Sequence, residues 1–175
     1  IRPTHHGDRL TRFWLDTEAP ISLAHLQAEV QGSMGRMVEY RFFWTDLYNL
    51  LKSNQKIQAH FEGKRKERID GYRFVFEALT KQHILQTSTF SQEYPLLSER
   101  MIDYSNTWLY ASNLYENNDK RSEIIKRASY HLLSMLYPYL TNQGKEEFKK
   151  LYSDFFIDNS RSYALKSYVS FVFML

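Results

Sequence analysis

Residues 40–51 carry the densest pattern in this chain: Tyr40-Arg41-Phe42-Phe43-Trp44-Thr45-Asp46-Leu47-Tyr48-Asn49-Leu50-Leu51. The segment holds five aromatic residues and three leucines, and it contains neither glycine nor proline. Phe43, Leu47 and Leu51 recur at helical spacing, which predicts an amphipathic helix over residues 38–52. A helix this rich in aromatic rings either fills a large core or forms the wall of a pocket.

Neighbouring segments extend this pattern. Ile57 and Phe61 follow the aromatic block, and after them come a charged run over residues 63–68 and an apolar stretch over residues 72–79. A later block ends in the letters PYLT and reads Leu132-Leu133-Ser134-Met135-Leu136-Tyr137-Pro138-Tyr139-Leu140-Thr141. Together these blocks resemble the C-terminal effector domain of TetR/AcrR-type transcriptional regulators, over residues 22–141.

Composition limits the class of protein. A chain of 175 residues that is 43% hydrophobic is long enough for one domain with a sizeable core. It contains no cysteine, so disulfides and thiol catalysis are excluded, and a reducing, cytoplasmic location is expected. The 23 Lys and Arg nearly balance the 20 Asp and Glu, so charge alone does not indicate nucleic-acid binding. Residues 168–175, the longest apolar run, are too few to span a bilayer, so no membrane partner is expected.

Apolar residues recur at steps of three and four along most of the chain. This periodicity predicts an all-α bundle of about six to eight helices, which agrees with a TetR-like C-terminal domain. Ser22 is placed to cap one helix and Asp119 another, whereas residues 141–144 have the composition of a loop. The expected helices cover residues 8–16, 23–37, 38–52, 55–82, 94–116, 119–137 and 145–156.

The same pattern divides the chain into three parts. Residues 1–20 are expected to be an N-terminal remnant or a connecting helix. Residues 21–157 are expected to form the ligand-binding and dimerisation domain that the resemblance implies. Residues 158–175 form a tail that does not match the family pattern.

Motifs for catalysis or phosphate binding are absent from the sequence. It has no GxxxxGK[ST] loop and no GxGxxG, HExxH or GxSxG motif. Of the six histidines only His5 and His6 are adjacent, so the others lack the spacing of metal ligands. We therefore expect no enzyme activity, no catalytic residue, no metal and no cofactor.

Charged residues in the predicted helix 55–82 alternate in sign. Acidic and basic side chains are interleaved, as on a solvated helix face with local ion pairs. We therefore expect neither a carboxylate site nor a strong phosphate-binding surface there. The residues are Glu62, Lys64, Arg65, Lys66, Glu67, Arg68, Asp70, Arg73 and Glu77.

The aromatic residues have two interpretations. Rings at helical spacing most often pack in a core, but rings with a hydroxyl or indole N–H also suit the wall of a ligand cavity. The sequence leaves both open. The candidates for lining a cavity that accepts a small apolar or aromatic effector are Tyr40, Phe43, Trp44, Tyr72, Phe76, Tyr104 and Trp108.

The TetR resemblance implies that DNA binding and effector binding lie in different domains. Such regulators read operator DNA as dimers through an N-terminal helix-turn-helix, and the larger helical domain binds the effector and carries most of the dimer interface. No helix-turn-helix pattern is visible here, so operator DNA is expected to be contacted only through an N-terminal domain absent from this sequence. By position, the homodimer bundle falls on helices 95–116 and 119–137. Its expected interface residues are Trp108, Tyr115, Ile124, Ala128, His131 and Met135.

Two functions of other classes stay open. A helical-bundle enzyme or cofactor protein would need clustered carboxylates with Glu-x-x-His pairs, which the sequence does not offer. A plain protein-interaction module would be a monomer without a cavity. A helix-turn-helix encoded upstream would favour the regulator, and a bound metal would favour the enzyme. A monomer without a cavity would favour the interaction module.

Overall fold

The structure of the chain is a computed structural model that describes residues 20–115 and 120–156, apart from the side chain of Tyr115. Within these residues the secondary structure is helical, with a single isolated bridge between Leu85 and Leu140, which confirms the all-α prediction. The expected helix over residues 8–16 and the tail over residues 158–175 lie outside the described residues. The α-helices are α1 (Leu23–Glu39), α2 (Arg41–Thr45), α3 (Leu47–Ser53), α4 (Gln55–Lys81), α5 (Glu93–Tyr115), α6 (Arg121–Ser134) and α7 (Asn142–Leu151), with 3-10 turns at Tyr137–Tyr139 and Ser153–Phe155.

Helix α1 begins where the sequence predicted. The Ser22 hydroxyl accepts a hydrogen bond from the His25 backbone N–H at 3.2 Å, which satisfies one of the free donors of the first turn. The apolar residues at steps of three and four along α1 form one buried face. That face packs against α6 and the first part of the core.

The aromatic block does not form one helix, so the prediction of a helix over residues 38–52 was wrong. The backbone leaves the helical region at Tyr40 and again at Asp46, which produces two short helices, α2 and α3. Aromatic and β-branched residues lose side-chain freedom in a helix, and the Thr45 hydroxyl donates to the Arg41 carbonyl oxygen at 2.9 Å. Much of the block faces solvent: the Phe42 side chain is 72% exposed and Tyr48 is 67% exposed.

Helix α4 is close to the predicted long helix. The Asn54 side chain caps its first turn by accepting hydrogen bonds from the backbone N–H groups of Lys56 and Ile57, at 3.0 and 3.2 Å. The helix ends in a Schellman motif, in which the Ile84 N–H donates to the Leu79 carbonyl oxygen and His83 takes a positive φ of 58°. This motif fixes the direction of the backbone that follows α4.

The second half differs from the prediction at its boundaries. Helix α6 follows Lys120 and ends at Ser134, because Pro138 and its neighbours form a 3-10 turn instead of a longer helix. The predicted cap, Asp119, lies outside the described residues. Helix α7 ends at Leu151, short of the predicted residue 156.

Residues 141–144 are not a loop, and that prediction was also wrong. The Thr141 hydroxyl accepts a hydrogen bond from the Gly144 backbone N–H at 3.1 Å, so Thr141 caps α7. Its own backbone N–H donates to the Ile84 carbonyl oxygen at 3.0 Å, and the Gln86 N–H donates to the Tyr139 carbonyl oxygen at 2.9 Å. Backbone hydrogen bonds of the PYLT block therefore hold α7 against the segment that follows α4.

A continuous apolar core joins these helices. Its members come from every long helix, and the buried polar side chains among the described residues are serines: Ser98, Ser105 and Ser129. Among residues 20–115 and 120–156, no helix is both long and apolar enough to cross a bilayer.

Candidate functional site

A cavity of about 170 Å³ lies between α1 and α4, with one lining residue each from α5 and α6. Its wall is mostly apolar and includes two methionines, whose flexible side chains adapt to ligands of different shape. Glu67 is exposed, so the cavity reaches the surface at that residue. The lining residues are Leu26, Glu29, Val30, Ser33, Met34, Met37, Glu67, Arg68, Gly71, Tyr72, Val75, Ser105 and Leu132.

Helical periodicity places these residues on facing sides of two helices. On α1 they follow steps of three and four from Leu26 to Met37, and on α4 they follow the same steps from Arg68 to Val75. Gly71 lies in the middle of the α4 row, and a Cβ atom at that position would meet nothing within 4 Å. The missing side chain at Gly71 therefore contributes to the empty volume.

The polar part of the wall is built around Arg68. Its guanidinium donates hydrogen bonds to the Ser105 hydroxyl and, at 2.8 Å, to the Asn106 side-chain oxygen. The Tyr72 hydroxyl also interacts with it. Burial lowers the pKa of the Arg68 guanidinium, and the nearby Tyr72 and Asp103 oppose this shift.

Tyr72 shares this environment. Burial raises the pKa of its phenol, and the charge of Arg68 draws the pKa back down. Arg68, Tyr72 and Ser105 all line the cavity, so a hydrogen-bonding cluster faces an otherwise apolar space. Such an arrangement can hold an apolar body and orient one polar group.

The seven aromatic residues predicted as cavity lining do not meet in one place. Tyr72 alone among them lines the α1–α4 cavity, and Phe76 lines a separate groove. Phe43 and Trp44 make edge-to-face contacts, and Trp44 also reaches Phe61 at a ring-centroid distance of 6.4 Å. Tyr40 is 59% exposed, and the last two, Tyr104 and Trp108, line a cleft between α5 and α6.

The separate groove lies between α4, the start of α5 and the connecting loop. Its volume is about 490 Å³, and hydroxyl groups are frequent in its wall. One of them, the Thr80 hydroxyl, is buried and lies near the Tyr94 hydroxyl. The other lining residues are Ile69, Arg73, Phe76, Glu77, Lys81, Thr87, Ser88, Ser91, Pro95 and Ser98.

The α5–α6 cleft has a volume of about 180 Å³ and contains four of the six residues predicted for a dimer interface. Trp108 and Ala128 are buried inside this chain, and the Trp108 indole N–H points to the Met37 sulfur at 3.3 Å. His131 is exposed and Ile124 is partly exposed. Outside the cleft, Met135 packs against the core. The Tyr115 side chain lies outside the described residues.

Comparison with known proteins identifies the family of this fold. A family model described as "TetR: Bacterial transcriptional repressor" matches residues 10–148, which is well over half of the chain. The chain belongs to the TetR family. The crystal structure of a TetR-family transcriptional regulator from Marinobacter aquaeolei VT8 matches it with a TM-score of 0.70, covering 83% of this chain and 70% of that chain at 20% sequence identity. At this identity the likeness shows the fold alone, and no curated protein sequence matches the chain.

TetR-family membership confirms the resemblance carried by the aromatic block and the PYLT block, and it assigns the chain to transcription regulation. The matched residues include the whole lining of the α1–α4 cavity. Among the described residues, no group of three or more His, Cys, Asp or Glu side chains is placed to hold a metal ion.

Sequence reasoning missed the most distinctive residue of this TetR-family cavity. Arg68 was expected on a solvated face, but it is partly buried between α4 and α5. Lys64 does behave as expected, because it forms a local ion pair with Glu67 at 2.7 Å, whereas the exposed Arg65 pairs with Glu99 of α5 at 3.6 Å. A signal was present in the sequence: Arg68 lies four residues before Tyr72, which places both on one helix face.

Proposed function

We propose that this chain is the effector-sensing and dimerising body of a TetR-family transcriptional regulator, and that the α1–α4 cavity holds the effector. The observation that carries the proposal is the cavity itself, with an apolar wall and one hydrogen-bonding cluster at Arg68, Tyr72 and Ser105. The role is regulatory rather than enzymatic.

The size of the cavity supports a small effector. An apolar cavity of roughly 150 Å³ engineered into another protein binds benzene. By that measure, the volume of about 170 Å³ in this chain suits one ring or a short aliphatic chain. Met34 and Met37 in the wall allow somewhat larger molecules to be accommodated by side-chain movement.

The contacts of α1 suggest how binding is transmitted. Helix α1 forms one wall of the cavity, and it is also tied to α6 through Arg121. The Arg121 guanidinium donates to the Gly35 carbonyl oxygen at 3.0 Å and to the Glu39 carboxylate at 2.9 Å. An effector that binds one spacing of α1 and α4 better than another shifts the population toward that spacing, and α6 moves with α1.

The accessible residues around the α5–α6 cleft support a dimer face there. Ala111 and His131 are exposed on its two sides, and Leu114, one turn further along α5, is 54% exposed. Apolar residues left exposed on adjacent helices are typical of a surface that a second copy covers. We therefore place the homodimer interface on this face of α5 and α6.

Contact with operator DNA is assigned to a part of the protein other than the described helices. The basic run of α4 is the most positive segment described, but its charges are offset by ion pairs such as Lys64–Glu67 and Arg73–Asp70. Paired cations release few counterions from DNA and therefore add little affinity.

A pair of glycine variants in α4 tests the sensing role. A Cβ atom at Gly71 or at Gly63 would meet nothing within 4 Å, but only Gly71 lines the cavity. Gly71→Leu should fill the cavity, whereas Gly63→Leu should leave it open. Both should fold, because leucine favours a helix over glycine by about 1 kcal/mol.

Binding is measured as the rise in melting temperature with four ring compounds: toluene, benzamide, benzoate and benzylamine. At least one should stabilise the wild-type chain and Gly63→Leu, since a ligand that binds only the folded state stabilises it by mass action. That stabilisation should disappear in Gly71→Leu. If no compound stabilises the wild type, or if Gly71→Leu binds as well as Gly63→Leu, the cavity is not the effector site.

A further inference from the structure

The guanidinium of Arg68 is a partly buried cation with neutral partners. Its hydrogen bonds go to the Ser105 hydroxyl and the Asn106 side-chain oxygen, and its other close neighbour is the Tyr72 hydroxyl. Among the described residues no carboxylate forms an ion pair with it. The carboxylate whose charge acts on the pKa of Arg68 is Asp103, in α5.

A cation removed from water without a counter-ion is an unfavourable arrangement. An arginine side chain carries several N–H donors in a planar fork, and the contacts to Ser105 and Asn106 use only part of them. A carboxylate matches that fork with two parallel hydrogen bonds and supplies the missing charge. Because Arg68 lines the cavity, a bound molecule can provide this carboxylate.

Two acidic residues also line the cavity, but neither belongs to the hydrogen-bonding cluster around Arg68. Glu67 is exposed and is already paired with Lys64 at 2.7 Å. Glu29 belongs to α1 and is neither hydrogen-bonded nor ion-paired to Arg68. The hydrogen-bonding cluster that faces the interior is therefore centred on a positive charge.

We propose that the effector is a small amphipathic monocarboxylate, an aryl or short aliphatic acid, whose carboxylate binds Arg68 beside the Tyr72 hydroxyl. Its apolar part lies against Val30, Met34 and Val75 in the same cavity. This inference rests on the proposed function and sharpens it, because it assigns a charge to the effector. It also adds a negative charge to the small apolar or aromatic effector that the sequence led us to expect.

The four ring compounds separate the two proposals because they share one ring and differ only in charge. Wild-type chain is titrated with each by calorimetry near neutral pH, where benzoate is ionised and benzylamine is protonated. Benzoate should bind at least about tenfold more tightly than benzamide, toluene or benzylamine. Equal or tighter binding of a neutral or cationic compound would overturn the carboxylate inference and leave the sensing role intact. Absence of binding by all four would overturn both.

Variants locate the preference on Arg68. Arg68→Gln keeps hydrogen-bonding groups but removes the charge, and it should weaken benzoate binding about tenfold or more while changing benzamide binding little. The matched control is Arg65→Gln, on the same helix, whose guanidinium pairs with Glu99 outside the cavity. It should bind all four compounds like the wild type.

Unchanged benzoate affinity in Arg68→Gln, with a folded circular dichroism spectrum, would contradict the inference. Should Arg68→Gln fail to fold, Arg68→Lys replaces it. Lysine keeps the charge but cannot present the planar fork, so benzoate should bind Arg68→Lys more weakly than the wild type and still more tightly than benzamide. If Arg65→Gln loses the preference for benzoate and Arg68→Gln keeps it, the inference that the carboxylate binds Arg68 is also contradicted.

Discussion

The backbone at Gly144 lies so close to Ile84 that a Cβ atom there would come within 2.4 Å of the Ile84 carbonyl oxygen. That oxygen also accepts the Thr141 backbone N–H at 3.0 Å, and the Thr141 hydroxyl accepts the Gly144 N–H at 3.1 Å. The first turn of α7 is therefore in direct contact with the backbone just beyond α4, and only glycine fits at this contact.

Gly144→Ala should destabilise the protein by about 1–3 kcal/mol, the usual cost of forcing an extra carbon into a packed contact. The change is measured as the free energy of unfolding in urea. Gly63→Ala is the control, because its Cβ would meet nothing within 4 Å. It should stabilise the chain by about 1 kcal/mol through helix propensity. If Gly144→Ala is as stable as Gly63→Ala, the backbone around Ile84 moves to accommodate the extra carbon at little cost in free energy.

The Gly144 contact also shows why residues 141–144 were wrongly predicted to be a loop. Thr, Asn and Gly are frequent both in turns and where helices begin, so their presence does not separate the two structures. The capping hydrogen bond of Thr141 spans only three residues, but Thr141 also contacts Ile84, which lies 57 residues earlier in the chain. No local pattern contains that contact. The PYLT block was recognisable in the sequence, but its hydrogen bonds to the segment after α4 were not predictable from it.

Local sequence signals predicted helix ends correctly where the capping interaction lies within a single helix. Ser22 was correctly predicted as a cap, and α4 was correctly predicted to begin after Asn54, because both capping hydrogen bonds reach only three residues along the chain. Helix periodicity likewise located α4 within one residue of its end. The prediction for the aromatic block failed at Tyr40 and Asp46, where the chain divides into α2, which contacts α5, and α3, which contacts α4. The contact between α2 and α5 joins segments far apart in sequence, so no local pattern contains it.

The candidate site was predictable only in outline. An apolar cavity involving α4 and Tyr72 was anticipated, but its second wall is α1, whose residues have the sequence pattern of ordinary core. Arg68 was assigned to solvent because acidic and basic residues are interleaved around it in the sequence. Arg65 and Arg68 lie one turn apart and both reach α5, but Arg65 stays exposed whereas Arg68 is partly buried.

A second prediction concerns the end of α4. His83 holds a φ of 58°, in the left-handed region where a side chain is strained and glycine is not. His83→Gly should therefore stabilise the fold by about 1 kcal/mol, measured by thermal or urea unfolding.

His60→Gly is the matched control, because His60 is exposed in the interior of the same helix. Glycine there should destabilise the fold by about 0.5–1 kcal/mol. If both histidine variants lose stability equally, the Schellman geometry at His83 does not determine the outcome.

A third prediction tests the dimer face. His131 is exposed at the α5–α6 cleft, so His131→Glu should leave the folded chain intact. In a twofold dimer centred on this face, the substitution introduces two desolvated negative charges and should favour the monomer. Sedimentation or light scattering at micromolar concentration measures the change in mass.

His60→Glu, exposed on α4 and distant in sequence from the cleft, should leave the mass of a dimer unchanged. A wild-type chain that is monomeric at micromolar concentration would contradict the proposed interface. So would a His131→Glu variant that remains a dimer, because a buried uncompensated pair of charges is not tolerated in an interface core.

The last prediction concerns alkaline pH. The Tyr152 side chain is 2% exposed, and its hydroxyl lies 3.1 Å from the hydroxyl of the fully buried Ser129. Burial raises the pKa of the Tyr152 phenol, although the hydrogen bond with Ser129 opposes the shift. Because the folded-state pKa lies above the unfolded value, the unfolded chain loses its phenolic proton first as pH rises.

The stability linked to Tyr152 is therefore fully present below about pH 10, the unfolded pKa of tyrosine, and decreases as pH rises from there toward the folded pKa. Tyr152→Phe should lower the free energy of unfolding at neutral pH by about 1 kcal/mol, through loss of the hydrogen bond to Ser129. The variant should also lose less stability than the wild type between neutral and strongly alkaline pH. Urea unfolding across this range measures both effects, with the exposed Tyr48→Phe as the control that should behave like the wild type. Parallel alkaline losses in Tyr152→Phe and Tyr48→Phe would mean that the buried phenol does not govern alkaline unfolding.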